Sequence, residues 1–402
     1  MASAAAFTWR TALPLLIVAA LVAFEEWVSI PSCEVSSGEG GGGDPKAGNL
    51  SGSEDLKLMV VADLLLMGSE AGPVTAYFRD FYTAKFFRKS LKMLDPDMLV
   101  ILGDISARGS QLKSNKWSTI LQQLQKILGP FLELPLHIIL GDRDIGSCNK
   151  INANLVREIA SNLPGLDSVG CGAFEISNIS FVSVNTVPML CGNNDLLFSV
   201  EKFIERESVD MIRSKIAVEE FQRPTESRGD FSTFHWREND VPPGAGSVLL
   251  LHFPLHQVAR SSCEVEVNKR TLWHYFRESF KILIDGAIVG AGPYELLKTL
   301  PQNATEYIIQ ALKPRIVFSA HTHQFCDHTH GDGIREVTVP TMTWAGKDQP
   351  GFVVAKFGQN KTVLVSHCSL ASESHLLMVY VTALVLLASA TFLVYSRNSE
   401  DI

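Results

Sequence analysis

Three aspartates and three histidines stand where apolar runs of the chain stop. Asp63 follows LKLMVVA, Asp104 follows MLVILG and Asp142 follows LHIILG; His252 closes SVLLLH, and His321 closes RIVFSAH with His323 two residues on. Carboxylates mixed with imidazoles suit a divalent ion such as manganese, iron or zinc rather than a thiolate-preferring one. The apolar runs read as strands, and ligands of open α/β sheets gather outside the carboxyl ends of the strands. One polar residue at a strand end is ordinarily a cap or a turn. Six at corresponding ends, drawn from distant parts of the chain, predict a metal-binding edge.

The elements that must position these residues alternate in type. Strand patterns at 56–62, 98–102 and 136–140 are separated by amphipathic helical stretches at 77–93 and 117–128, which implies right-handed crossovers and a largely parallel sheet buried on both faces. Further strand patterns at 174–184, 247–251, 316–319, 336–340, 352–357 and 362–366 predict an α/β fold of two packed mixed β-sheets flanked by helices. Residues 200–243 are rich in charge and read as helix plus loop, a candidate cap over the site. Of the tryptophans Trp117, Trp236 and Trp344, only Trp344 is read as a sugar contact, since it shortly follows the last histidine block.

Both ends carry apolar segments. Leu376–Tyr395 is uncharged and about the length that crosses a bilayer. The run from Thr11 to Phe24 follows Arg10 and stops at Glu25-Glu26, which leaves a signal peptide and an uncleaved anchor both open. The chain then divides into an N-terminal anchor at 1–30, a Gly/Ser-rich linker at 31–55, the main domain at 56–370, a transmembrane helix at 376–395 and a cytosolic tail at 396–402. Arg10 and Arg397 on the outer flanks put both tails in the cytosol and the main domain in the lumen. Sequons at Asn49, Asn178, Asn303 and Asn360 agree with glycosylation there.

The net charge of −8, from 35 basic and 43 acidic residues, argues against a nucleic-acid partner held through its phosphates. The seven cysteines form no C-x-x-C pair, which disfavours a zinc knuckle, and their odd number requires at least one free or intermolecular thiol.

The blocks ADLLL (62–66), GDISARG (103–109), GDRD (141–144), LLHFPLH (250–256) and SAHTH (319–323) resemble, in order and in context, those of calcineurin-like metallophosphoesterases. KPRIVFSAHTHQFCDH (313–328) and EVTVPTMTW (336–344) further resemble the eukaryotic branch that trims ethanolamine phosphate from glycosylphosphatidylinositol (GPI) anchors. The resemblance implies a metallophosphoesterase sandwich between two membrane helices. It also implies phosphodiester hydrolysis with two ions, manganese foremost and iron or zinc as alternatives. The partners it implies are the GPI glycolipid or GPI-anchored proteins, and the place is the endoplasmic reticulum or Golgi, in support of ER exit of such cargo. Carried over, Asp104 bridges the ions, Asp63 and His323 hold the first, and Asp142, His252 and His321 hold the second.

The chain departs from the family pattern at four positions. Leu65 stands for a histidine ligand, Asp142 for asparagine, Ala107 for a second aspartate, and Arg143 for the histidine that would protonate the leaving alcohol. Arg143 and its neighbour Asp144 remain the catalytic candidates, Arg143 as a phosphate clamp, since a guanidinium keeps its proton near neutral pH. His256, His328 and His330 are candidate substitute acids. A weakened or inactive protein that binds the glycolipid or its cargo is the competing expectation, and a protein phosphatase a third.

Overall fold

In the computed structural model, residues 9–36, 55–222, 246–257, 299–358 and 362–400 are described, apart from 113, 130–132, 147, 192–194 and 348. Two six-stranded sheets form the core, with orders β1-β12-β11-β2-β3-β4 and β5-β6-β7-β8-β10-β9. In the first sheet β2 (Leu56–Val61), β3 (Met98–Leu102) and β4 (Leu136–Ile139) are parallel, and β11 (Gly351–Phe357), β12 (Val363–Ser369) and β1 (Ser32–Ser36) extend it antiparallel. In the second, β6 (Ile179–Ser183), β7 (Val248–Leu250), β8 (Ile316–Ser319) and β10 (Arg335–Thr338) run parallel, flanked by antiparallel β5 (Gly172–Ile176) and β9 (Cys326–Thr329).

Alternation along the strands explains why the sheets pack on both faces. Leu58, Val60, Val100 and Leu102 join Val248, Leu250, Phe318 and Val337 in the layer between the sheets. Met59, Val61, Leu99 and Ile101 point the other way, onto Tyr82, Phe86 and Leu91 of α2 (Asp80–Leu94) and Ile120, Leu124 and Ile127 of α3 (Ser114–Leu128). A strand buried on both faces has no polar alternation to show, which is why these read as continuous apolar runs. Ridges at i, i+4 and i+5 of α2 supply Tyr82, Phe86 and Phe87, and the helix stops at Asp95, whose left-handed backbone (φ 46°) caps Leu91.

The run expected as one strand at 174–184 is a hairpin, because Ser177 and Asn178 both take positive φ and turn the chain between β5 and β6. The first part of the expected linker is also ordered: Ser32–Ser36 is β1, held to β12 in register, with Cys33 disulfide-bonded to Cys368. Its exposed, polar sequence carries no strand signature, and the partner strand supplies the order. Cys148 pairs with Cys191, Cys326 is disulfide-bonded to a partner outside the described residues, and Cys171 is a buried free thiol.

Among the described residues one helix is long and apolar enough to cross a membrane: Glu373–Phe392, mean hydropathy 1.9, within a helix running from Glu373 to Glu400. The helix α1 (Trp9–Val28) lies beside it and carries Glu25 and Glu26 in its last turn. Glu25 pairs with Lys85 and hydrogen-bonds the hydroxyls of Tyr82 and Tyr380; Glu26 meets Lys89 at 3.2 Å, and Arg79 meets Glu373 at 2.7 Å. Those acidic residues therefore tie both terminal helices to α2. The expected cap at 200–243 begins as a helix over Leu197–Gln222, and its remainder lies outside the described residues. Asn178 and Asn303 are exposed, whereas Asn49 and Asn360 lie outside the described residues.

Candidate metal centre

Each loop that follows β2, β3 and β8 turns back on itself through residues in the left-handed region. Asp63 (φ 51°), Asp104 (φ 49°), His321 (φ 65°) and His323 (φ 58°) all adopt it. A non-glycine residue held there costs about 1 kcal/mol or more, and such strain gathers at functional sites. The turns point the side chains off the sheet edge and toward one another. Two glycines make the approach feasible: a Cβ on Gly141 would sit 2.1 Å from Asp104 Oδ1, and one on Gly103 would sit 2.4 Å from His252 Nδ1. The Gly-Asp pairing in both blocks is thus a packing requirement of the donors themselves.

The donors form two adjoining groups. Single donor atoms of Asp104, Asp142, His252 and His321 all lie within 4.8 Å of one another. His252 Nε2 is 3.3 Å from Asp142 Oδ1 and 3.5 Å from Asp104 Oδ1, and His321 Nδ1 is 3.4 Å from Asp142 Oδ1. His252 Nδ1 donates to the Leu102 carbonyl at 2.8 Å, which fixes the ring and turns Nε2 toward the carboxylates. On the other side, His323 Nδ1 approaches Asp63 Oδ2 at 3.1 Å. Neither that nitrogen nor either oxygen of the fully buried Asp63 carboxylate makes a hydrogen bond. Buried polar atoms are normally paired, and an unmodified buried carboxylate left bare is costly, so these atoms fit a bound cation.

Charge points the same way. Three carboxylates converge, and one guanidinium, Arg143, reaches them: its Nε is 3.3 Å from Asp104 Oδ2, and its backbone N–H donates to Asp104 Oδ1 at 3.0 Å. Burial would depress the His252 pKa, yet Asp104, Asp142 and Asp63 together push it up to about 10. Burial also drives Asp104 up, to about 6, with Asp142 and Asp63 adding to the rise against His252 and Arg143. For Asp63 and Asp142 burial pulls upward but the surrounding histidines outweigh it, and both carboxyls stay below their ordinary range. A site this rich in negative charge favours divalent cations.

The structure brings together all six residues expected as ligands, with Arg143 beside Asp104. Leu65, at the position of the lost histidine, is buried with φ 51°, its N–H donated to the Asp104 carbonyl. Asp144 does not face the cleft. Its oxygens accept the N–H groups of Ser106 at 2.9 Å, Gly141 at 3.0 Å and Ile105 at 3.3 Å, so it clamps the two aspartate loops, and burial beside Asp104 pushes its pKa up to about 7. His328 and His330 are engaged with Glu336 rather than with the six donors. His256 is half-buried and is anchored through its backbone N–H to Thr305 Oγ1 at 2.9 Å. Trp344 is a core residue, packed on Phe78, Tyr82 and Phe86 with its indole N–H donated to the Ala371 carbonyl. Trp117 is buried as expected, and Trp236 lies outside the described residues. Thr341 and Thr343, which sequence reasoning did not single out, hold the Asp63 carbonyl through their hydroxyls at 3.0 and 3.4 Å. Their only signal was the VPTMTW run after the last strand of the site.

The family described as Calcineurin-like phosphoesterase matches residues 56–325, which contain all six donors. Proteins named Metallophosphoesterase 1 are similar over most of the chain. That of Ailuropoda melanoleuca is 26% identical, covering 84% of this chain and 78% of its own. That of Xenopus laevis is 25% identical, covering 83% and 76%, and the Drosophila melanogaster homolog is 23% identical, covering 83% and 80%. With the fold, the donor set and the matched residues in agreement, the chain belongs to the calcineurin-like phosphoesterase family and is a hydrolase of the divalent-metal class.

Proposed function

We propose that this protein hydrolyses a phosphodiester on a membrane glycolipid, the ethanolamine phosphate of GPI anchors, at the lumenal face of the endoplasmic reticulum or Golgi. The observation that carries the reading is the convergence of six carboxylate and imidazole donors, with neither oxygen of buried Asp63 hydrogen-bonded. Two ions fit the donors, manganese foremost, with Asp104 between Asp63 and His323 on one side and Asp142, His252 and His321 on the other. When bound, such ions supply Lewis-acid stabilisation of charge on phosphoryl oxygens and ease deprotonation of water. The protein's own groups do the rest. His252 is locked in one tautomer by the Leu102 carbonyl, Asp144 and the site glycines hold the loops, and Arg143 stands half-exposed beside Asp104, where its guanidinium suits contact with a phosphate oxygen.

The membrane placement rests on the apolar C-terminal helix, on α1 alongside it, and on the ties of both to α2. Both helices are read as membrane anchors around one lumenal domain. The disulfides Cys33–Cys368 and Cys148–Cys191 suit an oxidising compartment. A substrate carried on the same membrane suits this arrangement.

One observation favours a second reading, a protein that binds the glycolipid or its cargo with little turnover. Arg143 occupies the position of the general acid and pairs with Asp104, and loss of general acid catalysis lowers rates by about 10²–10⁴. Full-length protein in detergent with Mn²⁺, assayed for ethanolamine phosphate released from GPI glycans, separates the two. Release abolished by Asp104→Asn supports hydrolysis. Tight glycan binding with unchanged substrate supports the binder.

A further inference from the structure

A second group of donors lies on the other sheet edge, around β9 and β10. β9 and β10 pair antiparallel with His328 opposite Glu336, and the chain turns between them through Gly333 (φ 85°), which brings His330 back over the same strand. His330 Nε2 is 2.8 Å from Glu336 Oε2, His328 Nε2 is 3.5 Å from the same oxygen, and the two imidazole centroids are 4.6 Å apart. Glu336 is fully buried, a burial that carboxylates rarely suffer without a cation or several donors. Its other oxygen is already occupied: Oε1 accepts the Ser319 hydroxyl at 2.7 Å and the Leu255 N–H at 3.0 Å. Those bonds aim Oε2 at the two imidazoles.

The tautomer of His328 is set by its surroundings. Its Nδ1 lies 3.4 Å from Cys326 Sγ, which is disulfide-bonded and can only accept, so Nδ1 carries the proton and Nε2 is left as a lone pair. The Gln257 amide sits 3.1 Å from that Nε2, and its carbonyl end would complete a fourth position with the amide turned over.

We propose that His328, His330 and Glu336 form a mononuclear site for a zinc-class divalent cation, separate from the six-donor centre. Two imidazoles and one carboxylate, with an amide or water as fourth partner, are an accepted zinc donor set. Tetrahedral zinc bound by nitrogen and oxygen spaces its ligand atoms roughly 3.3 Å apart. The 3.5 Å pair already meets this, and the 2.8 Å pair has to open by about half an ångström. The bound ion would tie together the loop after β7, through Gln257 and Leu255, and the strands β8, β9 and β10. It would thereby brace Ser319, the residue two before His321. Its role is structural support of the loops that carry His252 and His321, so it does not depend on which phosphodiester the main centre takes.

The test counts ions in full-length protein purified in detergent, stripped with chelator, and dialysed against Zn²⁺. A main-centre variant, Asp104→Asn with His252→Asn, is expected to retain one tightly held equivalent. Adding His328→Asn and His330→Asn is expected to remove it. Glu336→Gln is the fold-preserving control, since glutamine can still accept from Ser319 and Leu255 while losing the charged ligand, and it too should lower the count by one. Co²⁺ loaded in the main-centre variant should give the intense visible bands of tetrahedral coordination, absent after Glu336→Gln. Equal zinc content with and without the histidine and glutamate changes, in proteins with matching circular dichroism, overturns the proposal.

Discussion

The two halves of the main centre differ in a way that sequence position alone does not suggest. Around Asp142 the donors are crowded and interlocked: His252 and His321 both contact Asp142, and His252 is oriented by a backbone carbonyl. Around Asp63 one imidazole, His323, approaches a carboxylate whose oxygens are otherwise bare, and Leu65 fills the place of the missing histidine. The half that has lost a ligand is the half left with unsatisfied buried atoms. Two ions of unequal affinity are therefore expected, the tighter at Asp142 and the weaker at Asp63.

The largest effect should come from removing what the halves share. Asp104→Asn is expected to abolish phosphodiester release and to lower manganese affinity by more than about 100-fold, the upper range for losing a mere outer partner of a metal ligand. Steady-state assay and metal titration check it, and retention of both ions would break the picture of a shared carboxylate.

Next comes the geometry that lets the halves meet. A Cβ added at Gly141 meets Asp104 Oδ1 at 2.1 Å, so Gly141→Ala should displace that carboxylate and depress activity by roughly 10²-fold while the fold persists. Activity with a circular dichroism control reads this. An unaffected enzyme would mean that Asp104 is not held where catalysis needs it.

Leu65→His probes the asymmetry directly. Restoring an imidazole beside Asp63 should tighten the weaker ion about tenfold and leave the stronger one unchanged. Calorimetric Mn²⁺ titration distinguishes the two events, and an equal gain in both would contradict the assignment of Leu65 to the Asp63 half.

The smallest effect is a control outside the centre. His137, buried against Phe174 with Nε2 2.8 Å from the Ser183 hydroxyl, has its pKa pushed down to about 4 by burial. Between that value and the ordinary 6.5 the unfolded chain binds a proton that the folded one does not. Stability is then intact above about pH 6.5 and falls as the pH drops toward 4, by about 3 kcal/mol at most. His137→Gln should flatten that slope in thermal melts of chelator-treated protein, which separates global acid instability from titration of the metal ligands.

Much of this centre was legible in the sequence because strand ends are. A doubly buried strand is an unbroken apolar run, and the residue that breaks it marks the carboxyl edge, so Asp63, Asp104, Asp142, His252, His321 and His323 could be found without a fold. The two mixed sheets followed from the same runs. What escaped depends on partners distant in sequence. β1 owes its order to β12 and the Cys33–Cys368 bond, not to its own residues. Asp144 reads as a catalytic candidate until its oxygens are seen to be taken by three backbone N–H groups. Trp344 reads as a sugar platform from its position, yet it closes the core under α2.

Manganese electron paramagnetic resonance of the full-length protein tests the account most directly. Loading chelator-stripped protein stepwise should first give the six-line signal of an isolated ion at the Asp142 half, then a spin-coupled signal as the Asp63 half fills. The coupled signal should vanish in Asp104→Asn. Isolated-ion spectra at every loading, with no coupled signal, would contradict a two-ion centre built on Asp104.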